Sequence, residues 1–335
     1  MNFRSLIIAA ACALALGSAS AQIQERTIRF GHVVQPGAPV PLGVQKFAEL
    51  VAARSGGKIK IQEYGGGTLG GEAQQLSAVQ GGIQDMTQLS ATIMGGAVRE
   101  FTLLDIPFSF SKAEQVDALL AGPFGQALEA KLPEKGLIGL GFWETGFRNF
   151  TNSRRPIVQL EDLKGLKIRV IPNPMFMKAF DAIGTSPVPM AFPELYGALE
   201  SRAMDAQDNP SAVILSSRFY EVQKYLSISN HVYTANPVAI SKKLWDRLSA
   251  EEQKIIRDSA LEAGVYQRKV SREAEAAARK ELVAKGMQMN EVPASTLARM
   301  RELSQPPIEV LITSYDPTLV KLYKSEIERV RANIK

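Results

Sequence analysis

The spacing of apolar and polar positions predicts a strand over Thr27–Val34, a helix from Val40 to about Arg54 and a strand over Lys58–Tyr64. A helix over Leu69–Gln80 and a strand over Asp85–Ser90 follow. Strand, helix, strand, helix, strand is the signature of an α/β unit with a parallel sheet. The same rhythm returns as strand Lys167–Ile171, helix Met175–Ile183, strand Ser186–Met190, helix Pro193–Glu200 and strand Met204–Gln207. A faint echo links the two runs at an offset of 120 residues: Ala78–Val79 matches Ala198–Leu199, and Asp85 matches Asp205. The chain therefore predicts two α/β lobes of similar build.

Between the runs, Leu137–Trp143 and Phe147–Thr151 read as extended segments able to pass from one lobe to the other, and Tyr225–Ile240 reads as a return crossing. Two crossings make a hinge of extended strands with a cleft between lobes, an arrangement that closes on ligands by rotation. Lobe I is expected to comprise residues 22–145 plus about 232–270, and lobe II residues 146–231 plus about 271–335. Ser249–Ala250–Glu251–Glu252 forms a capping box ahead of a helical run that reaches Lys285 before Gly286 stops it. Unbroken, that helix spans ~54 Å at 1.5 Å per residue, longer than one lobe. Its apolar positions do not keep a heptad, so a helix laid across both lobes is expected in place of a coiled coil.

The N-terminus sets the compartment. A single positive charge at Arg4 precedes the apolar stretch Leu6–Leu16, and Ala19–Ser20–Ala21 is a small-x-small cleavage site before Gln22. This is the pattern of a secretory signal peptide over residues 1–21, and of a periplasmic protein once it is removed. A lipoprotein alternative through Cys12 would leave an apolar core of only about six residues, below the usual ~7–15. Cys12 is the one cysteine, so the mature chain must be held by its core and not by disulfides. The net charge of +5 is spread along the chain without basic blocks interleaved with aromatics, which argues against nucleic acid.

Gly65–Gly66–Gly67–Thr68–Leu69–Gly70 satisfies G-x-G-x-x-G, and a dinucleotide-dependent oxidoreductase is one alternative reading. Against it, the preceding strand alternates charged with apolar residues as an outer strand does, and Asp85 opens its strand where a ribose-binding acid closes one. An exported protein would also have to acquire NAD outside the cytoplasm. A glycine-rich turn facing a cleft, with no cofactor, fits better. Catalytic constellations are missing: the two histidines, His32 and His231, have no companions in a metal or nucleophile motif, and no metal is expected. An exported enzyme acting on sugar acids is the other alternative.

What remains suits recognition. Arg169 ends an apolar strand where open α/β sheets place ligands, and an unpaired buried guanidinium costs several kcal/mol, roughly, so it needs an anion or a wet cleft. Arg148 lies at the presumed crossing, Asn209 ends a strand before Pro210, and Phe192 ends the strand between them. Two guanidiniums, an amide and an aromatic wall would hold a carboxylate and stack a small carbon skeleton.

The string Gly165–Leu166–Lys167–Ile168–Arg169–Val170, the run from Pro187 to Glu200, Asp205–Ala206–Gln207–Asp208–Asn209–Pro210 and the run from Phe219 to Leu226 closely resemble one family. It is the DctP-type extracytoplasmic solute receptors of tripartite ATP-independent periplasmic (TRAP) transporters, and the resemblance covers essentially the whole mature chain. It implies two α/β lobes in a class II-type periplasmic-binding-protein arrangement, joined by strands and the long helix. It further implies a non-enzymatic role: binding a small carboxylate and delivering it to a small and a large membrane subunit. By the same resemblance Arg169 forms the salt bridge to the carboxylate, Arg148 and Asn209 give supporting contacts, and Phe192 packs against the ligand. His32, Glu72, Asn173 and His231 fall at positions that line the pocket. Arg202 stands where the family commonly has Gly, as does Ala206, and Ala73 stands where many members carry Arg. The missing Arg disfavours dicarboxylates and sialic acid and favours a hydroxylated monocarboxylate such as a hexuronate. The exported protein is expected to begin at Gln22; its intact mass checks this, and a lipid-modified cysteine at the N-terminus would contradict it.

Overall fold

The computed structural model describes residues 23–334; the expected signal peptide, with its expected cleavage site after Ala21, lies outside the described residues. Nine strands form the sheet: β1 (Arg26–Gly31), β2 (Ile59–Tyr64), β3 (Met86–Gln88), β4 (Leu137–Asn152), β5 (Lys167–Val170), β6 (Ser186–Pro189), β7 (Ala206–Asn209), β8 (Tyr225–Ser241) and β9 (Gln288–Glu291). Their order is β2-β1-β3-β8-β4-β7-β5-β6, with β9 beside β8. The triplets β2-β1-β3 and β6-β5-β7 have the same order and are parallel within each.

The two long strands pair antiparallel and serve both halves. Near residue 240, β8 pairs with β3, whereas near residue 226 it pairs with β9. Beyond Asn149, β4 pairs with β7. Each lobe thus completes its sheet with one end of the same two strands, as the extended segments predicted. Register shifts at Gly139/Phe142, Glu144/Gly146 and Arg148/Phe150 bend the pair where it changes lobe. At the last shift Asn230 takes a left-handed φ of 45°, and the Asn149 side-chain carbonyl accepts from the Ser229 and Asn230 amides at 3.0 Å each.

The 120-residue echo has a structural counterpart. Asp85 accepts from the backbone amide of Arg29 on β1 (2.9 Å), and Asp205 accepts from that of Lys167 on β5 (3.0 Å). In each lobe an Asp ahead of the third strand satisfies an amide of the first. The preceding helix ends in a left-handed residue in both cases, Gly82 with φ 77° and Arg202 with φ 59°. The first of these helices runs from Glu72 to Gly81, three residues later than expected, because residues 65–70 form a glycine turn. β2 lies at the sheet edge, as its charged alternation required.

Helix Ala250–Ala284 begins at the predicted capping box, where Ser249 Oγ accepts from the Glu252 amide and Glu252 accepts in return from the Ser249 amide. Gly286 follows its end with φ 98°. Its first half packs on helix Pro39–Arg54 and on β4, and Ile256 and Ala263 join a core with Phe30, Phe47 and Trp143. Its last turns pack on helix Ser211–Ser216, and Leu282 joins a second core with Leu195, Phe219 and Leu226. A third cluster runs from Leu76 through Phe101 and Phe124 to Phe150, Phe176 and Val330, continuing from one lobe to the other. Of the C-terminal helices, Ala294–Ile312 packs on helix Pro174–Ala182, and Pro317–Asn333 packs on the helices Ala113–Ala121 and Pro123–Ala130. None of the described helices is long and apolar enough to cross a membrane.

Arg202 is exposed and carries the left-handed strain that glycine takes in the other lobe. Arg202→Gly is expected to stabilise the fold by about 1 kcal/mol, because the steric cost of the left-handed region exceeds glycine's entropic cost. The denaturation midpoint checks this.

Candidate functional site

The strand ends of both lobes face one cleft. The segment after β1 supplies Val33 and Val34, and the end of β3 supplies Gln88 and Ser90. From the other lobe come Arg169 and Ile171 of β5, Phe192 after β6, Asn209 of β7 and nearby Val213. Glu72 opens its helix into the cleft, and Thr145, Arg148, Thr234 and Asn236 reach it from the crossing strands. The cavity they line has a volume of about 40 Å³.

Its two arginines differ in kind. Arg148, 2% exposed, is fully engaged: Nε donates to Asp208 Oδ2 at 2.6 Å, and Nη2 donates to Oδ1 at 3.0 Å and to the Asp208 carbonyl. Its Nη1 donates to Thr234 Oγ1 at 3.3 Å. Burial alone would raise Asp208, yet Arg148 and His231 overcome it and hold the carboxyl well below the usual carboxylate range. This pair is internally neutral.

Arg169 is equally buried, but only its Nε is occupied, donating to the Met190 carbonyl at 2.9 Å. Its guanidinium lies 5.7 Å from the centre of the Phe192 ring. Among the described residues no carboxylate forms a salt bridge with it. Burial, with Arg148 as a second cause, pushes it down to about 10. A depression of this size represents on the order of 3 kcal/mol of unfavourable charge burial, which a bound anion would relieve.

Among the cleft acids, Glu72 accepts from the Ser90 amide at 2.6 Å and from Ser90 Oγ at 3.2 Å. Burial pushes its carboxyl up, against the opposing pull of Ser90 and Arg169. Asp105, behind the cleft, is pushed up to about 8 by burial, against the opposing pull of Thr92 and Arg148. Of these acids Asp208 is the one held well below the usual carboxylate range, and Arg148 cancels its charge. The cleft therefore favours an anion at Arg169.

Five of the eight expected site residues are brought together: Arg169, Arg148, Asn209, Phe192 and Glu72. Asn209 donates its amide to Gln207 Oε1, which orients it at the strand end. The other three do not line the cleft. His32 turns under the glycine turn, with Nε2 2.9 Å from Glu63 Oε1, and a Cβ on Gly65 would fall 2.7 Å from its ring. His231 stacks on Phe150 with ring centroids 4.1 Å apart and meets Asp208 Oδ2 through Nε2 at 3.3 Å. Burial lowers its basicity despite Asp208, and the ring supports the ion pair from behind. Asn173 caps helix Pro174–Ala182 by accepting from the Met175 amide at 2.7 Å.

Residue-type reasoning missed Asp208, although a carboxylate within a buried strand announces a cationic partner. It also missed Gln88, Ser90, Thr145, Thr234 and Asn236, of which Thr234 and Asn236 interrupt the apolar run of β8 at a spacing of two.

Arg148→Ala would strand the Asp208 charge in the interior. It is expected to cost about 3–5 kcal/mol of folding stability, with part recovered when Asp208→Ala is added. Chemical denaturation of the two single variants and the double variant measures this coupling.

Residues 30–313 match the family model described as bacterial extracellular solute-binding protein, family 7. The 2,3-diketo-L-gulonate-binding periplasmic protein of Escherichia coli is 40% identical over 266 residues, covering 79% of this chain and 80% of that protein. The crystal structure of the sugar acid binding protein DctPAm of Advenella mimigardefordensis, in complex with galactonate, superimposes with a TM-score of 0.90 at 37% identity. That match covers 92% of this chain and 99% of the other. A TRAP periplasmic solute binding protein of Bradyrhizobium in complex with galacturonate gives a TM-score of 0.86 at 30% identity, covering 90% and 100% of the two chains. This chain belongs to the family 7 bacterial extracellular solute-binding proteins, a family of substrate-binding receptors and not of enzymes.

Proposed function

We propose that the cleft takes a monocarboxylate bearing several hydroxyls, a hexuronate or related sugar acid. The observation that carries this reading is the single unpaired guanidinium among the described cleft residues. Arg148 is neutralised by Asp208, so Arg169 alone is free to take a carboxylate in a two-pronged hydrogen bond. A dicarboxylate would place its second charge near Glu72 and the neutral side chains of Gln88, Ser90, Thr145 and Asn236, with no cation to meet it. Hydroxyls suit that neutral wall, and Phe192 and Ile171 offer apolar surface to a carbon skeleton. The relatives named for diketogulonate, galactonate and galacturonate support the same ligand class.

The receptor acts in the periplasm after cleavage behind Ala21. The lobes comprise residues 22–145 with about 232–270, and 146–231 with about 271–335, and they close on the ligand. The loaded form hands its ligand to the small and large TRAP membrane subunits for uptake driven by an ion gradient, as the family assignment supports.

A thermal-shift screen of the purified protein against sugar acids and dicarboxylates tests the ligand class. A ligand at 100 times its dissociation constant stabilises by about 2.7 kcal/mol. Arg169→Ala is expected to lose at least ~2–3 kcal/mol of affinity for the acid found, and Arg169→Lys to recover only part, since an ammonium lacks the planar fork. Folding stability of the Ala variant should hold or rise, because a costly buried charge is removed. Calorimetric affinities and melting temperatures of the same variants decide it: destabilisation with unchanged affinity would overturn the assignment.

A further inference from the structure

The two lobes meet on both flanks of the cleft, and at both places the contact is made beside a cleft residue. On one flank Asn173 Nδ2 donates to the Thr92 carbonyl at 2.9 Å, linking the loop after β5 to the short helix Ala91–Met94 after β3. Ile171 of the cleft lies two residues before Asn173, and Ser90 of the cleft lies two residues before Thr92. Gly95 closes around the same amide: a Cβ there would fall 3.3 Å from Asn173 Nδ2. On the other flank the glycine turn of residues 65–71 faces Ala191 and Pro193, which bracket Phe192. A Cβ on Gly67 would fall 2.8 Å from Pro193 Cγ, and one on Gly71 would lie 3.4 Å from Ala191 Cβ. Bare backbone here lets the lobes approach closely.

We propose that Asn173 is a latch between the lobes and not a contact to the ligand. Its side chain has two separate duties. The carbonyl caps its own helix, a bond internal to lobe II that is kept whether the cleft is open or closed. The NH2 group reaches across to Thr92, a bond that exists only when the lobes are together. This inference rests on the receptor reading above, since a latch matters only where closure accompanies binding.

The latch has a signature that a ligand contact lacks. It shifts the population of the closed form, and apparent affinity scales with that population whatever the ligand. Loss of one neutral hydrogen bond should weaken every ligand by the same factor, about 3- to 10-fold. A residue touching the ligand would weaken different ligands unequally.

Asn173→Asp and Asn173→Ser separate the two duties. Both retain an oxygen for the Met175 amide and so keep the helix cap, but neither places an NH2 group against the Thr92 carbonyl. Asp would also set a carboxylate against that oxygen. The experiment measures affinities of wild type and both variants for galacturonate and galactonate, with small-angle scattering of the ligand-free proteins. The expected result is an equal fold loss for both acids, a melting temperature without ligand lowered by no more than the loss of one hydrogen bond explains, and a larger radius of gyration for the variants. Unequal losses would make Asn173 a ligand contact and overturn the latch. Unchanged affinities with unchanged scattering would overturn it too. If wild type bound neither acid, the proposed ligand class would fail, and the scattering comparison would still decide the latch. If the melting temperature fell by more than the loss of one hydrogen bond explains, both variants would have lost the cap, and the two-duty assignment would be wrong.

Discussion

The bidentate pair between Arg148 and Asp208 is the interaction on which the cleft depends. It lies where β4 passes from one lobe to the other, so it joins the crossing strand to β7 at the floor of the site. His231 and Phe176 cover it from behind. A buried ion pair is poor evidence of stability, because desolvation offsets most of its attraction. Its consequence here is electrostatic. By consuming one guanidinium completely, it leaves Arg169 as the one unpaired cation among the described cleft residues.

The fold was legible because its signals are local and repeated. Strand–helix alternation, the capping box at Ser249 and the stop at Gly286 are written within a few residues each, and they survived with boundary shifts of one to three positions. The crossings were legible because long extended stretches have no other place in a two-lobed chain. The glycine turn hid the start of its helix, since Thr68 and Leu69 continue a helical pattern whose backbone the surrounding glycines turn aside.

The site was read less completely, for a reason of geometry. Arg169 and Phe192 announce themselves as a charge and an aromatic at strand ends. Whether Arg148 is free or engaged depends on Asp208, 60 residues away, and no spacing rule encodes that meeting. The histidines were misplaced for a similar cause. A polar ring near a cleft can face in or back, and His32 and His231 both face back, one to Glu63 and the other to Asp208. The resemblance expects both histidines in the pocket; the packing turns their side chains away from the cleft.

The shared strands also constrain how this chain can be made. β1, β2 and β3 are complete within the first 90 residues, but their neighbour in the sheet is the far end of β8, and the helix that covers Phe47 and Trp143 begins at Ala250. The N-terminal lobe therefore cannot finish folding while the last quarter of the polypeptide is missing. The same ordering ties the lobes into one cooperative body, for neither can be cut away without opening the sheet of the other.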